Sequence, residues 1–143
     1  MKDDSGLYQL VILLPKKRAI TAGSLGRFSF PAGHYVYTGS AKRGLNARIA
    51  RHIRKRKKMH WHIDYLLSYG NINKVIRYEN GNLSECELNR RVESLPSSKI
   101  IARGFGSSDC KCRSHLVYFG IIPRFLTKKD SRFSLEIARL SFQ

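Results

Sequence analysis

With 143 residues, 42% of them hydrophobic and 10% aromatic, the chain has the size of one compact domain and enough apolar side chains to bury a core, which excludes a disordered polymer. Its 27 lysines and arginines against 10 aspartates and glutamates leave a formal net charge of +17, a field that selects polyanions, nucleic acid before an anionic membrane. The longest apolar run, LVILLP from Leu10, is strand-length and far short of a bilayer span, and acids stand near the N-terminus where a signal peptide carries bases.

No repeat, low-complexity stretch or linker interrupts residues 1–143, which therefore read as a single domain. Leu7–Leu14 (LYQLVILL) is apolar, β-rich and ended by Pro15: a first strand. RFSF (Arg27–Phe30) and HYVYTG (His34–Gly39) read as two more strands, with Pro31–Gly33 as the hairpin turn between them and PKKRAITAGSLG as a loop before them. In GLNARIARHIRKRK, Leu45, Ile49 and Ile53 recur at i, i+4 and i+8, the mark of an amphipathic helix. WHIDYLLSY predicts a second short helix that buries Ile63, Leu66 and Leu67. NKVIRY (Asn73–Tyr78) is a strand followed by a turn at ENGN. Ser84 is placed to cap a third helix, ECELNRRVESL, with Glu87 three residues on as in a capping box. HLVYFGII (His115–Ile122) is a last, central strand, and SRFSLEIARLSF (131–142) suits helix or strand equally. The order β-β-β-α-α-β-α-β predicts an α/β (α+β) domain, a largely antiparallel sheet with helices packed on it.

On a wheel of about 100° per residue, Arg48 and His52 sit together at the edge of the first helix's apolar face, and Arg51, Arg54 and Lys55 point to solvent. The helix contains no acid. From Lys42 and Arg43 through Arg51, Arg54 and Lys55 to Lys57 and Lys58 the charge has one sign, which suits contact with successive phosphates better than a merely solvated face. Arg48, its stem against the core, is either an ion-pair partner or an arginine aimed at a ligand. In the third helix Glu85 shares a stripe with Leu88, Val92 and Leu95, while Glu87 lies nearly opposite. An inward acid in so basic a chain is either a first-turn residue favoured by the helix dipole or a cation ligand.

Three further clusters carry alternatives. His60 and Asp64, with His62 between them, make either a second metal site or, as is commoner, structural histidines beside a groove. Trp61 and Tyr65 belong by default to the core, though either ring suits stacking on unpaired bases. Cys110, Cys112 and His115 make, with Cys86, a three-cysteine, one-histidine zinc set. Its Cys-x-Cys spacing is tighter than the usual zinc pattern, and buried reduced thiols are the alternative. An extended backbone would put Cys110 and Cys112 on one face. The three cysteines carry no secretory signal and so predict a reduced, cytoplasmic setting rather than a disulfide framework. RGFGSSD before them is a tight turn or a phosphate-holding loop.

Gly6-Leu7-Tyr8 opens one strand, Tyr37-Thr38-Gly39 closes another, and Leu45, Arg48 and His52 follow on a helix. This ordered set resembles the GIY-YIG nuclease motif. The wider runs GHYVYTGSAKRGLNARIARH, HWHIDYLL, SEC and GFGSSDCKCRSHL resemble the Uri-type branch of that superfamily, domain of unknown function 123, from Gly6 to about Phe119. The resemblance implies a small domain with an antiparallel sheet and flanking helices. It also implies a divalent-metal-dependent endonuclease, with DNA as the expected substrate and RNA as the less favoured alternative, in repair or in processing branched or single-stranded structures. Tyr8, Tyr37, Arg48, His52 and Glu85 become the catalytic set, with Glu85 holding Mg²⁺ or Mn²⁺. The chemistry asks for such groups: Arg48 and the metal neutralise phosphoryl oxygens. A phenol, Tyr8 before Tyr37, takes the proton of water if nearby cations lower its pKa from about 10. The other tyrosine orients water or phosphate, and His52 positions the phosphate or passes a proton to the leaving oxygen. The interval between the tyrosines, residues 9–36, is longer than the motif usually has, and no asparagine is recognisable after the glutamate helix. A non-catalytic basic nucleic-acid-binding module on the same fold is the alternative, and the acid at Glu85 speaks against it.

Overall fold

The computed structural model describes residues 5–78, 83–108 and 110–121. The ENGN turn and the 131–142 segment lie outside the described residues. The main sheet is built on β1 (Gly6–Leu14) and β4 (Gly33–Ala41), paired antiparallel along their whole lengths. With β5 (Asn71–Tyr78), β6 (Ser98–Lys99) and β7 (Leu116–Phe119) they form five strands in the order β5-β1-β4-β7-β6, every pairing antiparallel. β1 is covered on both faces, which is why its sequence is an apolar run interrupted by the buried Gln9 instead of an alternation. The result is the small α+β domain that the element order predicts.

The expected hairpin at Pro31–Gly33 does not form. β3 (Arg27–Phe30) turns back onto β2 (Arg18–Thr21), from Arg18 opposite Phe30 to Thr21 opposite Arg27, in a separate two-stranded sheet. A single turn of 3₁₀ helix, Gly23–Leu25, joins them, so the stretch read as a loop contains a strand. Packing decides this outcome: Ile20, Ala22 and Phe30 are buried under the main sheet, while β4 is needed between β1 and β7. The edge strand β6 is only two residues long and also escaped the sequence reading.

α1 (Leu45–Ile53), α2 (His62–Leu67) and the β2–β3 hairpin cover one face of the sheet, over Tyr8, Leu10, Ile12, Tyr35 and Tyr37. α3 (Glu85–Glu93) covers the other, over Leu7, Val11, Val36, Ile76 and Val117. In α1 the apolar stripe differs from expectation. Leu45 and Ile49 are buried, but Ile53 is 54% exposed and His52, at 2%, takes the inner position. At 100° per residue His52, seven residues after Leu45, returns within about 20° of it, whereas Ile53, eight residues after, is about 80° away. Ser84 caps α3 as read, its Oγ accepting from the Glu87 N–H at 3.1 Å. Among the described residues no helix is long and apolar enough to cross a membrane.

Candidate functional site

The β1–β4 register sets Tyr8 opposite Gly39 and Leu10 opposite Tyr37, so both phenols lie on one face with ring centroids 6.4 Å apart. Gly39 is there because Tyr8 lies across it: a Cβ at that position would stand 2.5 Å from Tyr8 Cζ and Oη. α1 brings two more groups to this end of the sheet. Arg48 donates through Nη1 to the Ser40 carbonyl at 2.5 Å. His52 places Nε2 2.7 Å from the Tyr8 hydroxyl.

Glu85 arrives from the opposite face. β7 begins at Leu116, opposite Tyr37, and after one more bond, from the Thr38 N–H to the His115 carbonyl, the ladder of β4 continues with β1. At this end of β4 the first turn of α3 delivers Glu85, whose Oε1 accepts from Ser40 Oγ at 2.5 Å and whose Oε2 lies 2.6 Å from His115 Nδ1. Glu87 is exposed. Tyr8, Tyr37, Ser40, Arg48, Trp61 and Glu85 line a single cavity of about 370 Å³, with His60, His62 and Gly106 on its rim and walls.

The charge states follow from burial and neighbours. Burial pushes the Tyr8 phenol well above its ordinary range, and Tyr37 and Glu85 push it further; Arg48 opposes them without prevailing. Tyr37 is raised in the same way, first by burial and then by Glu85. The protein's own cations do not lower these phenols: Arg48 alone is too little against desolvation and a nearby carboxylate. Burial, aided by Lys57, pushes His52 down to about 4, so its ring is neutral. With the phenol protonated, Tyr8 donates and His52 Nε2 accepts, which assigns the ring hydrogen to Nδ1. For Glu85, burial works upward, but hydrogen bonds from His115 and Ser40 and the charge of Arg48 outweigh it and keep the carboxyl ionised. An ionised carboxylate at an open, arginine-lined cavity suits a hard cation such as Mg²⁺ or Mn²⁺, which keeps several waters and takes other oxygens from phosphate.

Part of the expected phosphate-binding row has other work. Arg51 does not point to solvent; Nη1 and Nη2 each lie 3.0 Å from Asp64, and Nη2 also donates to the Lys58 carbonyl. Lys57 folds back so that Nζ donates to the Arg51 and His52 carbonyls at the end of α1, and Lys55 donates to the Gly70 carbonyl. Lys42, Arg43, Arg54 and Lys58 are exposed. Asp64 is fully buried and also accepts from the His60 and Trp61 N–H groups, so its oxygens serve the start of α2 rather than a metal shared with His60. His62 Nδ1 accepts from the Gly106 N–H, which commits that loop amide. Trp61 is not simple core: Arg48 and Arg51 stack on its ring at 5.0 and 4.5 Å, and it lines the cavity.

Ser40 was missed in the sequence; only its place directly after Tyr37-Thr38-Gly39 hinted at it. The cysteines do converge, although not by strand alternation. Cys110 and Cys112 lie on an irregular loop before β7, and their sulfurs, Cys86 Sγ and a ring nitrogen of His115 all fall within 4.8 Å of one another.

Fold and site together define a small, strongly basic α+β domain with a polar cavity at one end of an antiparallel sheet. Residues 7–134 match the family described as "Domain of unknown function DUF123", and the chain belongs to that family. No curated protein and no solved structure matches it.

Proposed function

We propose that this protein is a divalent-metal-dependent endonuclease of the GIY-YIG type, hydrolysing phosphodiester bonds in DNA. The observation that carries this reading is the convergence of Tyr8, Tyr37, Arg48 and Glu85, from β1, β4, α1 and α3, on one cavity. A pure binding surface has no use for the acid.

Arg48, steadied by the Ser40 carbonyl and the Trp61 ring, presents its cation to the phosphoryl oxygens and offsets the charge that grows on them. Glu85 would hold Mg²⁺ or Mn²⁺, which when bound supplies further neutralisation and a more acidic water. Tyr8 serves as a relay and not as a free phenolate. Its hydroxyl passes a proton to His52 Nε2 as its oxygen takes one from the attacking water. A phosphate entering the cavity adds negative charge near His52 and so strengthens that acceptor. Tyr37, protonated, donates to the phosphate or the water. Lys42, Arg43, Arg54 and Lys58, exposed around α1, draw in the nucleic-acid backbone. The upward shift of both phenols is the observation that favours the second reading, a non-catalytic binding module.

Cleavage of plasmid, single-stranded and forked DNA and of RNA, with Mg²⁺ or Mn²⁺ against a chelator, tests the choice. Wild type is expected to cut only with metal. Glu85→Gln and Arg48→Ala are each expected to lose cutting by about 100-fold or more, with binding retained in Glu85→Gln. Wild type that binds every substrate and cuts none would establish the binding module.

A further inference from the structure

We propose that Cys86, Cys110, Cys112 and His115 hold a structural Zn²⁺ ion, and that its histidine ligand in turn orients Glu85. Tetrahedral zinc, with Zn–S near 2.3 Å and Zn–N near 2.0 Å, spaces its ligand atoms about 3.5–3.8 Å apart. His115 Nε2 lies 3.3 Å from Cys110 Sγ and 3.8 Å from Cys86 Sγ, and the whole set is confined within 4.8 Å. The four residues come from the first turn of α3 and from the loop before β7. Thiols packed as core would face apolar neighbours, yet these three are only half-buried and turn their sulfurs toward one another and an imidazole.

The donor set names the metal. Three thiolates and an imidazole suit a borderline-soft ion in a closed tetrahedron and offer little to Mg²⁺, whose oxygen donor is next door at Glu85. The set is too compact to surround several iron atoms and their bridging sulfides. Binding releases the thiol protons to solvent and leaves the sulfurs anionic.

His115 turns Nε2 toward the sulfurs, and its buried Nδ1 lies 2.6 Å from Glu85 Oε2, a close approach outside ideal hydrogen-bond alignment. A metal on Nε2 fixes the hydrogen on Nδ1, which then donates to the carboxylate, as second-sphere carboxylates do beside zinc-bound histidines. Zinc thus ties the loop to α3 and points Glu85 at the cavity. His115 is a positioning residue. This last link rests on the nuclease reading of Glu85; the metal centre does not.

The test uses the full, reduced chain. Elemental analysis is expected to give about one zinc per chain, cobalt substitution to give the absorption of a tetrahedral thiolate site, and Cys86→Ser and Cys112→Ser to weaken both. Long-range proton–nitrogen spectra are expected to show His115 as the Nδ1–H tautomer. His115→Cys keeps four metal ligands but removes the donor to Glu85. It is expected to retain zinc and the unfolding midpoint while the Mg²⁺ needed for half-maximal cleavage rises about 10–100-fold. Zinc below about 0.1 per chain after reconstitution, iron–sulfur absorption, or full zinc in Cys112→Ser would overturn the metal site. An Nε2–H tautomer, or an unchanged Mg²⁺ requirement in zinc-loaded His115→Cys, would overturn the link to Glu85. A wild type that never cleaves defeats the nuclease reading alone, because zinc content and tautomer decide this one.

Discussion

The Tyr8 hydroxyl on β1 donates to His52 Nε2 on α1 across 2.7 Å, with both side chains buried. In the proposed mechanism that contact lets so basic a phenol give up its proton without becoming a free phenolate. Tyr8→Phe keeps the ring over Gly39 and removes the relay. Single-turnover cleavage is expected to fall about 10²–10⁴-fold, with nucleic-acid binding unchanged. A Tyr8→Phe protein that cuts at the wild-type rate would assign the base elsewhere.

His52 also makes stability depend on pH. Its pKa is about 4 in the folded protein, depressed by burial and by Lys57, against an ordinary 6.5. Between those values the unfolded chain binds a proton that the folded chain refuses, so stability falls as pH drops from 6.5 toward 4. The full shift is worth on the order of 3 kcal/mol. Other groups also titrate in this window, so the informative quantity is a difference between variants. His52→Gln is expected to lose less stability than wild type across this window in urea unfolding. Parallel losses would show that His52 takes up its proton near 6.5 in the folded state as well.

What the sequence made legible is what local pattern controls. β1 announced itself by its apolar run, α2 by Ile63, Leu66 and Leu67, and the start of α3 by Ser84. The hairpin at Pro31–Gly33 was a sound local signal overruled by long-range pairing, since β2 is four residues long and buries only Ile20. The inner place of His52 was hidden because a histidine in an apolar stripe looks like an edge residue until its partner, Tyr8, is known. Arg51 looked free because Asp64 belongs to the next helix. The protonated phenols could not be read at all: their pKa depends on desolvation, which no residue pattern encodes. Glu85 was found by its helical phase, but Ser40 and His115, which hold its oxygens, had no signal connecting them to it.

Gly39 offers a steric test of the Tyr8 position. In Gly39→Ala the new methyl would fall 2.5 Å from Tyr8 Cζ and Oη, so the ring must leave its place. A loss of about 1–3 kcal/mol is expected on urea unfolding, together with a fall in cleavage. Gly44→Ala is the control. Its φ of +65° makes alanine strained, at about 1–2 kcal/mol, but nothing bulky is in the way and Tyr8 is untouched. Cleavage is therefore expected to survive Gly44→Ala and not Gly39→Ala. Equal activity in the two would mean that the ring has room to spare.

The basic residues of this stretch separate into two kinds by partner. Arg54 and Lys58 have exposed side chains, and each truncation to alanine is expected to weaken binding evenly across sequences and reduce the log–log salt slope by about 0.9, with no change in unfolding midpoint. Arg51→Ala acts on the fold instead. It leaves the fully buried Asp64 with two backbone N–H donors and no cation. Breaking a buried pair from one side costs about 3–5 kcal/mol, and the two remaining donors, with Arg51 itself 21% exposed, put this case at the lower end. Asp64→Asn should share that loss, because the pair fails from either side. The two measurements then diverge: urea unfolding moves for Arg51 and Asp64, and the salt slope moves for Arg54 and Lys58. An Arg51→Ala protein with wild-type stability and a reduced salt slope would place that guanidinium on phosphate and not on Asp64.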